Sequence, residues 1–206
     1  MSLTTKSILL SSAYLPDLTY LSEVLNADTI HIEQQEHFVK QTHRNRCDIL
    51  TSNGKLTLSI PLLKSGEKEL ISNKRISYAE NWQQQHWRSI TSAYKSSPYF
   101  EFFEDEFKPF YHTKFDLLID FNTQLLQTVL HILRIKKEIL FTNEFVLTPN
   151  DCLDLREYLH SSLNNKINQT PYYQVFADKI GFIPQVSCID ALFNVGLETI
   201  DLCIIK

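Results

Sequence analysis

The chain opens with a strand–helix–strand pattern, and this pattern constrains the fold more than any other feature of the sequence. Residues 7–11 form a short, mostly apolar run of the kind that makes a buried strand. Asp17 has the character of a helix N-cap, and the helix that it starts extends to about Ala27. Residues 29–34 then alternate in polarity, as a second strand does. Such a unit joins two parallel strands by a right-handed crossover, so the sequence predicts an α/β fold.

The rest of the chain predicts one hairpin and several helices packed around a small mixed sheet. Asn53-Gly54 lies between two β-type runs and is a strong hairpin signal. Ser77 and Glu80 have the spacing of a capping box at the start of a helix. The expected strands are 47–51 and 56–62, and the expected helices are 78–96, a short one within 99–111, 115–135 and 151–160.

Composition favours a single domain and excludes several classes of enzyme. Hydrophobic residues make up 43% of the 206 residues, which is enough for a buried core. No repeat or linker interrupts the sequence, so we predict one domain over residues 1–206, strand-rich in 1–76 and mainly helical in 77–206. The four glycines lie too far apart for a dinucleotide-binding loop, a Walker loop or a hydrolase elbow.

The cysteines and the apolar segments predict a cytoplasmic protein. No two of the four cysteines have C-x-x-C spacing, so they are expected to be reduced thiols without a zinc knuckle. No segment has the apolar length of a secretory signal or a membrane span. We therefore expect no membrane insertion.

Positive charge is concentrated between residues 40 and 95, where ten lysines and arginines accompany four acidic residues although the whole chain carries −4. Its densest part is a run of five possible cations or hydrogen-bond donors, Lys40, His43, Arg44, Asn45 and Arg46. The arginine fork suits carboxylate or phosphate, so this run predicts a binding site for a small anionic ligand, with Lys40, Arg44, Asn45 and Arg46 as its residues. A basic surface turn is the alternative. The acidic remainder of the chain would repel a long polyanion, so no nucleic acid is expected as a partner.

Trp82 and His86 lie four residues apart on one face of the helix predicted at 78–96. Histidine can act as a general acid or base near neutral pH, and shielding by tryptophan would keep it neutral. A buried structural histidine has the same surroundings. The sequence leaves both interpretations of His86 open.

Two further patterns indicate chemistry only weakly. His31, Glu33, Glu36 and His37 offer metal-ligating groups, but their spacing matches no compact metal motif, so no metal site is predicted. Cys47 follows an arginine, which would lower the pKa of its thiol. A cysteine at the start of a strand is more often a small core residue, and catalysis by a cysteine–histidine pair is a distant alternative.

An ordered series of motifs extends over nearly the whole chain and resembles the WbqC-like protein family. The series is Ala13-Tyr14-Leu15-Pro16, Asp28, Lys40-x-x-x-x-Asn45-Arg46, Gly54, Leu58-x-x-Pro61, Trp82-x-x-x-His86-x-x-x-Ile90-x-x-x-Tyr94-x-x-x-Pro98-Tyr99-Phe100, Asn122 and Phe182-x-Pro184-x-x-Ser187-x-x-Asp190-x-Leu192-Phe193-Asn194-x-Gly196. The chain is similar to the shorter Bacteroidetes-type members. It departs from the family pattern at Gln34-Gln35, where an acidic pair is expected, and between Thr142 and Tyr172, where it is shorter.

The resemblance implies a role in cell-surface glycan synthesis. Members of the family are mostly uncharacterised, some lie in O-antigen clusters, and transfer of a glycyl or other aminoacyl group to a sugar has been suggested for relatives. We therefore expect a cytoplasmic enzyme of O-antigen or cell-surface polysaccharide biosynthesis, a candidate transferase that moves an acyl or aminoacyl group to a nucleotide-linked amino-sugar. The alternative is a non-catalytic module that binds a nucleotide-sugar or a partner of the same pathway.

The matched motif positions imply roles in that scheme. Phosphate or carboxylate is held by Lys40, Arg46 and Arg44, while Asn45 hydrogen-bonds the sugar or the acyl group. His86 removes a proton from the attacking amine or hydroxyl, and Tyr94 orients it. Asn122 is also expected to contact the substrate. The remaining matched positions with polar side chains are Ser187 and Asp190, which also have the spacing of a helix cap.

The opening fold also predicts where these residues meet. Open α/β sheets bind ligands beyond the carboxyl ends of their parallel strands. We therefore expect Lys40, Asn45, Arg46 and His86 to converge there on one concave site. The sequence identifies neither a cofactor nor an oligomeric state.

Overall fold

The first two strands of the chain are parallel, as predicted, and form the centre of a parallel sheet. The computed structural model describes residues 6–64, 68–149, 152–157 and 169–203. Strand β1 (Ser7–Ser11) pairs in parallel with strand β2 (Thr29–Glu33), and helix α1 (Leu18–Asn26) connects them.

Asp17 starts helix α1, as its position in the sequence indicates. Its carboxylate accepts hydrogen bonds from the backbone N–H groups of Thr19 and Tyr20, each at 3.0 Å. These bonds satisfy two of the donors that a helix leaves open at its N-terminus. The helix then buries Leu21 and Val24 completely.

The Asn-Gly signal produces the predicted hairpin. Strands β3 (Arg46–Thr51) and β4 (Gly54–Ser59) are antiparallel, with Arg46 opposite Ser59 and Thr51 opposite Gly54. The hairpin forms a separate two-stranded sheet instead of joining the parallel one. The register places the N-terminal end of β3 and the C-terminal end of β4 side by side, which matters for the site described below.

The central helices lie within the predicted spans, but α2 starts four residues and α4 three residues later than expected. They are α2 (Trp82–Tyr94), α3 (Phe100–Phe107) and α4 (Leu118–Ile132). Helix α2 begins four residues later than expected, at Trp82 after the N-cap Asn81, so Ser77 and Glu80 do not form the predicted capping box. The backbone N–H of Ser77 donates to the carbonyl of Pro61 at 2.8 Å, and the hydroxyl of Tyr78 donates to the carbonyl of Phe115 at 2.9 Å.

The parallel sheet is completed by two short strands from the second half of the chain. Strand β5 (Ile139–Phe141) pairs with β2, and strand β6 (Leu153–Asp154) pairs with β1, so the order is β5-β2-β1-β6. The predicted helix at 151–160 is wrong at Leu153 and Asp154, because these two residues pair with the backbone of β1 and form a strand. Positions 151 and 158–160 lie outside the described residues.

The C-terminal helices pack on the same core. They are α5 (Ala177–Ile180), α6 (Cys188–Val195) and α7 (Thr199–Cys203). Ser187 caps α6 as predicted, with its hydroxyl accepting from the N–H of Ile189 at 3.4 Å. Phe193 on this helix contacts Tyr94 and Phe107 and joins α6 to the central helices. The C-terminal helices thus share the core of the central helices, and together with the parallel sheet the described residues form one domain of the α/β class.

Of the helices that the structure describes, none has the length and apolar character needed to cross a bilayer.

Gly196 ends helix α6 at a position where no other residue fits well. Its φ is +60°, and a Cβ placed there would lie 2.7 Å from the ring of Tyr99. We expect Gly196→Ala to lower the free energy of unfolding by more than about 2 kcal/mol, because backbone strain and displacement of the Tyr99 ring add. Urea denaturation measures the effect.

Gly181→Ala is the matched control for that substitution. Gly181 also has positive φ, at +74°, but its Cβ would meet nothing within 4 Å. Only the backbone strain remains, so the control should be less destabilised than Gly196→Ala. Equal losses in the two variants would show that the Tyr99 contact contributes nothing.

Candidate functional site

A cavity of about 720 Å³ lies where the loop after β2 meets the base of the β3–β4 hairpin. We call it the cationic cavity. Its apolar wall is formed by Phe38, Ile60, Pro61, Leu62 and Leu63. Its polar residues are Lys40, Gln41, Asn45, Arg46, Ser59, Lys64, Lys68, Glu69 and Lys74. The volume is that of a small-molecule site.

The charge of the cationic cavity is strongly positive. Among its described lining residues five are cations, and Glu69 is the one carboxylate. Lys40, Lys64 and Lys68 are exposed to solvent, and Arg46 is half-buried. Several like charges around one concave surface raise the local concentration of small anions.

Lys74 forms a fixed part of the wall. It is 6% exposed, and its ammonium donates to the carboxylate of Glu69 at 2.8 Å and to the backbone carbonyl of Leu63 at 2.9 Å. The same ammonium lies 5.6 Å from the centre of the Phe38 ring. Lys74 therefore links three other lining residues, Phe38, Leu63 and Glu69. The exposed lysines of the cavity are the cations that a ligand would meet.

The loop after β2 is held rigidly where it enters the cavity. Arg44 is 1% exposed and pairs with Glu36 through two hydrogen bonds, from Nε at 2.9 Å and from one terminal nitrogen at 2.6 Å. That terminal nitrogen also donates to the hydroxyl of Ser11 at 2.9 Å. Arg44, predicted to bind the ligand, instead does not line the cavity and anchors the loop to the end of β1.

Asn122 anchors the same loop from helix α4. Its amide nitrogen donates to the hydroxyl of Ser12 at 2.9 Å and to the backbone carbonyl of Arg44 at 2.8 Å. The side chain is 2% exposed. Asn122, expected to contact substrate, is thus placed behind the loop that carries Asn45 and Arg46.

His86 lies beneath the wall of the cavity rather than in it. The imidazole is 5% exposed, and its Nδ1 is 3.0 Å from the hydroxyl of Tyr14. It also makes a hydrogen bond to the backbone of Ser59, a lining residue. Helix α2 thereby supports the end of β4 from behind.

The surroundings of His86 keep it neutral. Burial lowers the pKa of His86 to about 4, and the hydrogen bond to Ser59 opposes that shift only in part. Trp82 lies edge-on to the imidazole, with ring centres 5.0 Å apart. The hydroxyl of Tyr14 also meets that of Tyr111 at 2.9 Å, so the imidazole belongs to a buried polar chain.

Cys47 adjoins this buried chain. It is 2% exposed, and burial raises the pKa of its thiol well above the ordinary value, with Asp48 contributing in the same direction. The adjacent arginine therefore does not make it a thiolate, contrary to the effect that the sequence suggests. A protonated thiol is a poor nucleophile.

Tyr94 also has a complete set of buried partners. Its hydroxyl accepts the backbone N–H of Leu50 at 3.0 Å and interacts with the carboxyl group of Asp190. Asp190 accepts the hydroxyl of Tyr172 at 2.6 Å and the amide of Gln174 at 2.9 Å. Burial raises the pKa of Asp190, and these donors oppose the shift. Asp190 thus joins three segments and does not complete the predicted capping box.

The structure brings together three of the predicted residues and adds three lysines. Lys40, Asn45 and Arg46 line one cavity. Lys40 and Asn45 lie on the loop that follows the carboxyl end of β2, and Arg46 begins β3. The sequence placed Lys64, Lys68 and Lys74 in the basic region without assigning them to the site. The sequence feature that indicates these three lysines is the excess of positive charge between residues 40 and 95.

A further buried carboxylate, besides Glu36 and Asp190, lies at the end of β2, outside the cationic cavity. Glu33 is fully buried, accepts the hydroxyl of Thr142 at 2.6 Å and pairs with Arg156 at 3.2 Å. It therefore attaches the chain around β5 and β6 to the sheet. In the described part of the chain, no group of three or more histidines, cysteines or carboxylates is arranged to hold a metal ion.

Comparison with known proteins identifies the family of the chain. The model of the WbqC-like protein family matches residues 11–160. The chain belongs to the WbqC-like family. The family predicted from the motifs is thus confirmed, and the matched range includes every residue that lines the cationic cavity.

One curated relative extends the similarity to almost the full chain. The uncharacterized protein Rv1507c of Mycobacterium tuberculosis (strain ATCC 25618 / H37Rv) is 23% identical over 225 residues, which cover 95% of this chain and 96% of the relative. No solved structure matches the chain. The comparisons therefore show the family of the chain but not an activity.

The low pKa of His86 predicts a specific loss of stability in acid. An unfolded histidine takes up its proton near pH 6.5, whereas the folded imidazole does so at about 4. The contribution to stability is fully present above pH 6.5 and is lost as the pH falls to 4, by up to about 3 kcal/mol. We expect His86→Gln to have a flatter dependence of unfolding free energy on pH between 6.5 and 4.

His112→Gln serves as the control for the acid measurement. His112 is exposed, so its replacement should leave the pH dependence as in the native protein. Chemical denaturation at several pH values compares the three proteins. An unchanged acid dependence in His86→Gln would contradict the assignment of the low pKa to this residue.

Proposed function

We propose that this WbqC-like protein binds a small phosphate-bearing or carboxylate-bearing ligand in the cationic cavity, and that the ligand is a nucleotide-linked amino-sugar. The observation that carries the proposal is the charge of the cavity. Among the lining residues that the structure describes, five cations and one carboxylate surround a concave space of about 720 Å³. A diphosphate linked to a sugar has the size and charge for such a space.

The arrangement of the wall favours a small anion over a nucleic acid. The exposed side chains of Lys40, Lys64 and Lys68 line a cavity whose wall also contains five apolar residues. A long phosphate backbone needs an extended cationic surface, whereas here the chain outside the basic region is acidic. An apolar wall next to cations instead suits a ring attached to phosphate.

The family supports a place for this binding in cell-surface polysaccharide synthesis. In the proposed reaction an activated acyl or aminoacyl donor, such as a glycyl donor, transfers its acyl group to the amine of the bound amino-sugar in the cytoplasm. The new C–N bond replaces the bond between the acyl carbon and the donor's leaving group, which departs with that electron pair while the amine gives up a proton. Lys40 and Arg46 would hold the phosphates, and Asn45 would hydrogen-bond the sugar or the acyl group. The catalytic roles of His86 and Tyr94 stay predictions.

A non-catalytic binding module is the second candidate, and one observation favours it. The imidazole of His86 is bonded to Tyr14 and Ser59, and the hydroxyl of Tyr94 to Leu50 and Asp190. A general base must reach the proton that it removes. Residues engaged in this way support the cavity wall without contacting a ligand.

Replacing Arg46 tests the binding proposal. Arg46→Ala should weaken binding of UDP-linked N-acetylglucosamine by about tenfold or more, because a charge-assisted hydrogen bond to phosphate is lost. Calorimetry measures the affinity, which should also fall as salt is added. Arg88→Ala is the control, since Arg88 is exposed on α2 and does not line the cavity. Equal affinities in the two variants would contradict the proposed site.

Replacing His86 separates the two candidate functions. The protein is incubated with a UDP-linked amino-sugar and a small-molecule extract of its host as the source of acyl donors, and mass spectrometry follows the acylated sugar. For an enzyme that uses His86 as its base, His86→Gln should slow acylation by about 100-fold while calorimetry shows unchanged affinity. Binding without any acylated product from the native protein supports the module.

A further inference from the structure

The cationic cavity contains one negatively charged group among the lining residues that the structure describes. This group is the carboxylate of Glu69. The side chain of Glu69 is 26% exposed, whereas the side chain of its partner Lys74 is 8% exposed. A ligand at this part of the wall therefore meets the carboxylate rather than the ammonium of Lys74. Since like charges repel, the position suits a cation and not a phosphate.

Glu69 is fixed in the wall by the protein. Its backbone carbonyl accepts the N–H of Phe38 at 2.8 Å, and its carboxylate accepts from the ammonium of Lys74 at 2.8 Å. The same ammonium donates to the backbone carbonyl of Leu63 at 2.9 Å. A group positioned in this way loses little conformational freedom when a ligand arrives, which favours binding.

A carboxylate can pair with two ammonium groups at once. It has two oxygen atoms with about four lone-pair positions between them. The bond from Lys74 is to Oε2 of Glu69. The ring of Phe38 lies beside the pair, with the ammonium of Lys74 5.6 Å from the ring centre. An apolar neighbour reduces the screening by water, so the carboxylate attracts a second cation more strongly than it would in bulk water.

We propose that Glu69 binds the ammonium group of the amino-sugar and thereby selects amino-sugar phosphates from other sugar phosphates. This inference rests on the function proposed above and names the residue that recognises the acceptor amine. The N–H groups of the ligand's ammonium donate to the carboxylate of Glu69, while the phosphate of the same ligand lies at the exposed lysines. Glu69 is then a specificity-determining residue of the cavity.

The phosphate of the ligand allows a cation to bind in a cavity of net positive charge. Lys40, Lys64 and Lys68 line the same cavity and are exposed. A phosphate group brings about two negative charges to them, which reduces the repulsion between these lysines and the ammonium. The site therefore favours a molecule that carries both a phosphate and an amine.

Other sugar substituents gain less from Glu69. A hydroxyl group donates one hydrogen bond without a charge, and a carboxylate is repelled. An N-acyl amide is neutral and also offers a single N–H. Acyl transfer converts the amine of the substrate into such an amide, so the product loses the ion pair with Glu69 and should bind more weakly than the substrate.

Three sugar phosphates without a nucleotide test this selectivity near neutral pH. Calorimetry compares glucosamine 1-phosphate, glucose 1-phosphate and N-acetylglucosamine 1-phosphate on the native protein. We expect glucosamine 1-phosphate to bind at least about fivefold more tightly than either of the others, because only it forms charged hydrogen bonds with the carboxylate. Equal binding of the three compounds, or weaker binding of glucosamine 1-phosphate, would overturn the inference and leave the anion site standing.

Glu69→Gln removes the negative charge but keeps an oxygen that can accept from Lys74. This substitution should reduce the preference for glucosamine 1-phosphate to about onefold or below, since the remaining cations repel the ammonium. Glu80→Gln is the matched control and should keep the preference, because Glu80 is exposed and does not line the cavity. A preference that survives in Glu69→Gln would contradict the role of this residue.

A measurement in alkali tests the native protein without a substitution. An amine of this kind loses its proton at about pH 8, as an α-amino group does, so at about pH 9.5 the affinity of glucosamine 1-phosphate relative to glucose 1-phosphate should fall to about onefold. This ratio cancels the effects of the other charged groups of the cavity, which act on both compounds: Lys40, Arg46, Lys64, Lys68 and Lys74. An unchanged ratio would contradict a contact with the ammonium. Failure of all three compounds, and of UDP-linked N-acetylglucosamine, to bind would overturn the proposed function and the inference with it.

Discussion

The buried ion pair between Arg44 and Glu36 fixes the part of the chain on which the cavity depends. Taking two charges out of water costs free energy, and such a pair is stable only when its geometry is good and its remaining donors are bonded. Here the contact is bidentate, and the guanidinium also reaches Ser11. Removing one partner of such a pair typically costs about 3–5 kcal/mol. The loop that carries Lys40, Asn45 and Arg46 is therefore held from within the core.

The cavity is supported from two further directions by groups that do not enter it. Asn122 bonds the backbone of Arg44 from helix α4, and His86 bonds the backbone of Ser59 from helix α2. Both side chains are polar, and both are nearly fully buried. A binding wall set by buried hydrogen bonds loses little conformational freedom when a ligand arrives, so more of the contact energy appears as affinity.

Local signals in the sequence were sufficient for the framework. Asp17 caps a helix, and Asn53-Gly54 turns a hairpin, because these effects depend only on neighbouring residues. Strand β6 could not be predicted in this way, since its two residues become a strand only beside β1. Tertiary pairing overrode the local preference for a helix there.

The site was predictable in its charge but not in its division of roles. The density of positive charge around Lys40 and Arg46 indicated an anion site. Arg44 points into the core because it pairs with Glu36. The sequence alone does not show whether this arginine pairs with a carboxylate of the protein or faces the cavity. The partner of His86 is Tyr14, which lies 72 residues away in the chain. Contacts over such distances are set by packing.

The order of the parallel sheet has a consequence for how the chain folds. The pair β1–β2 joins residues that are close in sequence, so it can form early at a small loss of chain entropy. The outer strands β5 and β6 come from more than 100 residues further along. Asn122, 78 residues beyond Arg44, must also arrive before the loop is fixed. The pair at the centre of the sheet can thus form early, whereas the cavity, lined by residues 38–74, reaches its final shape only after helix α4 has docked.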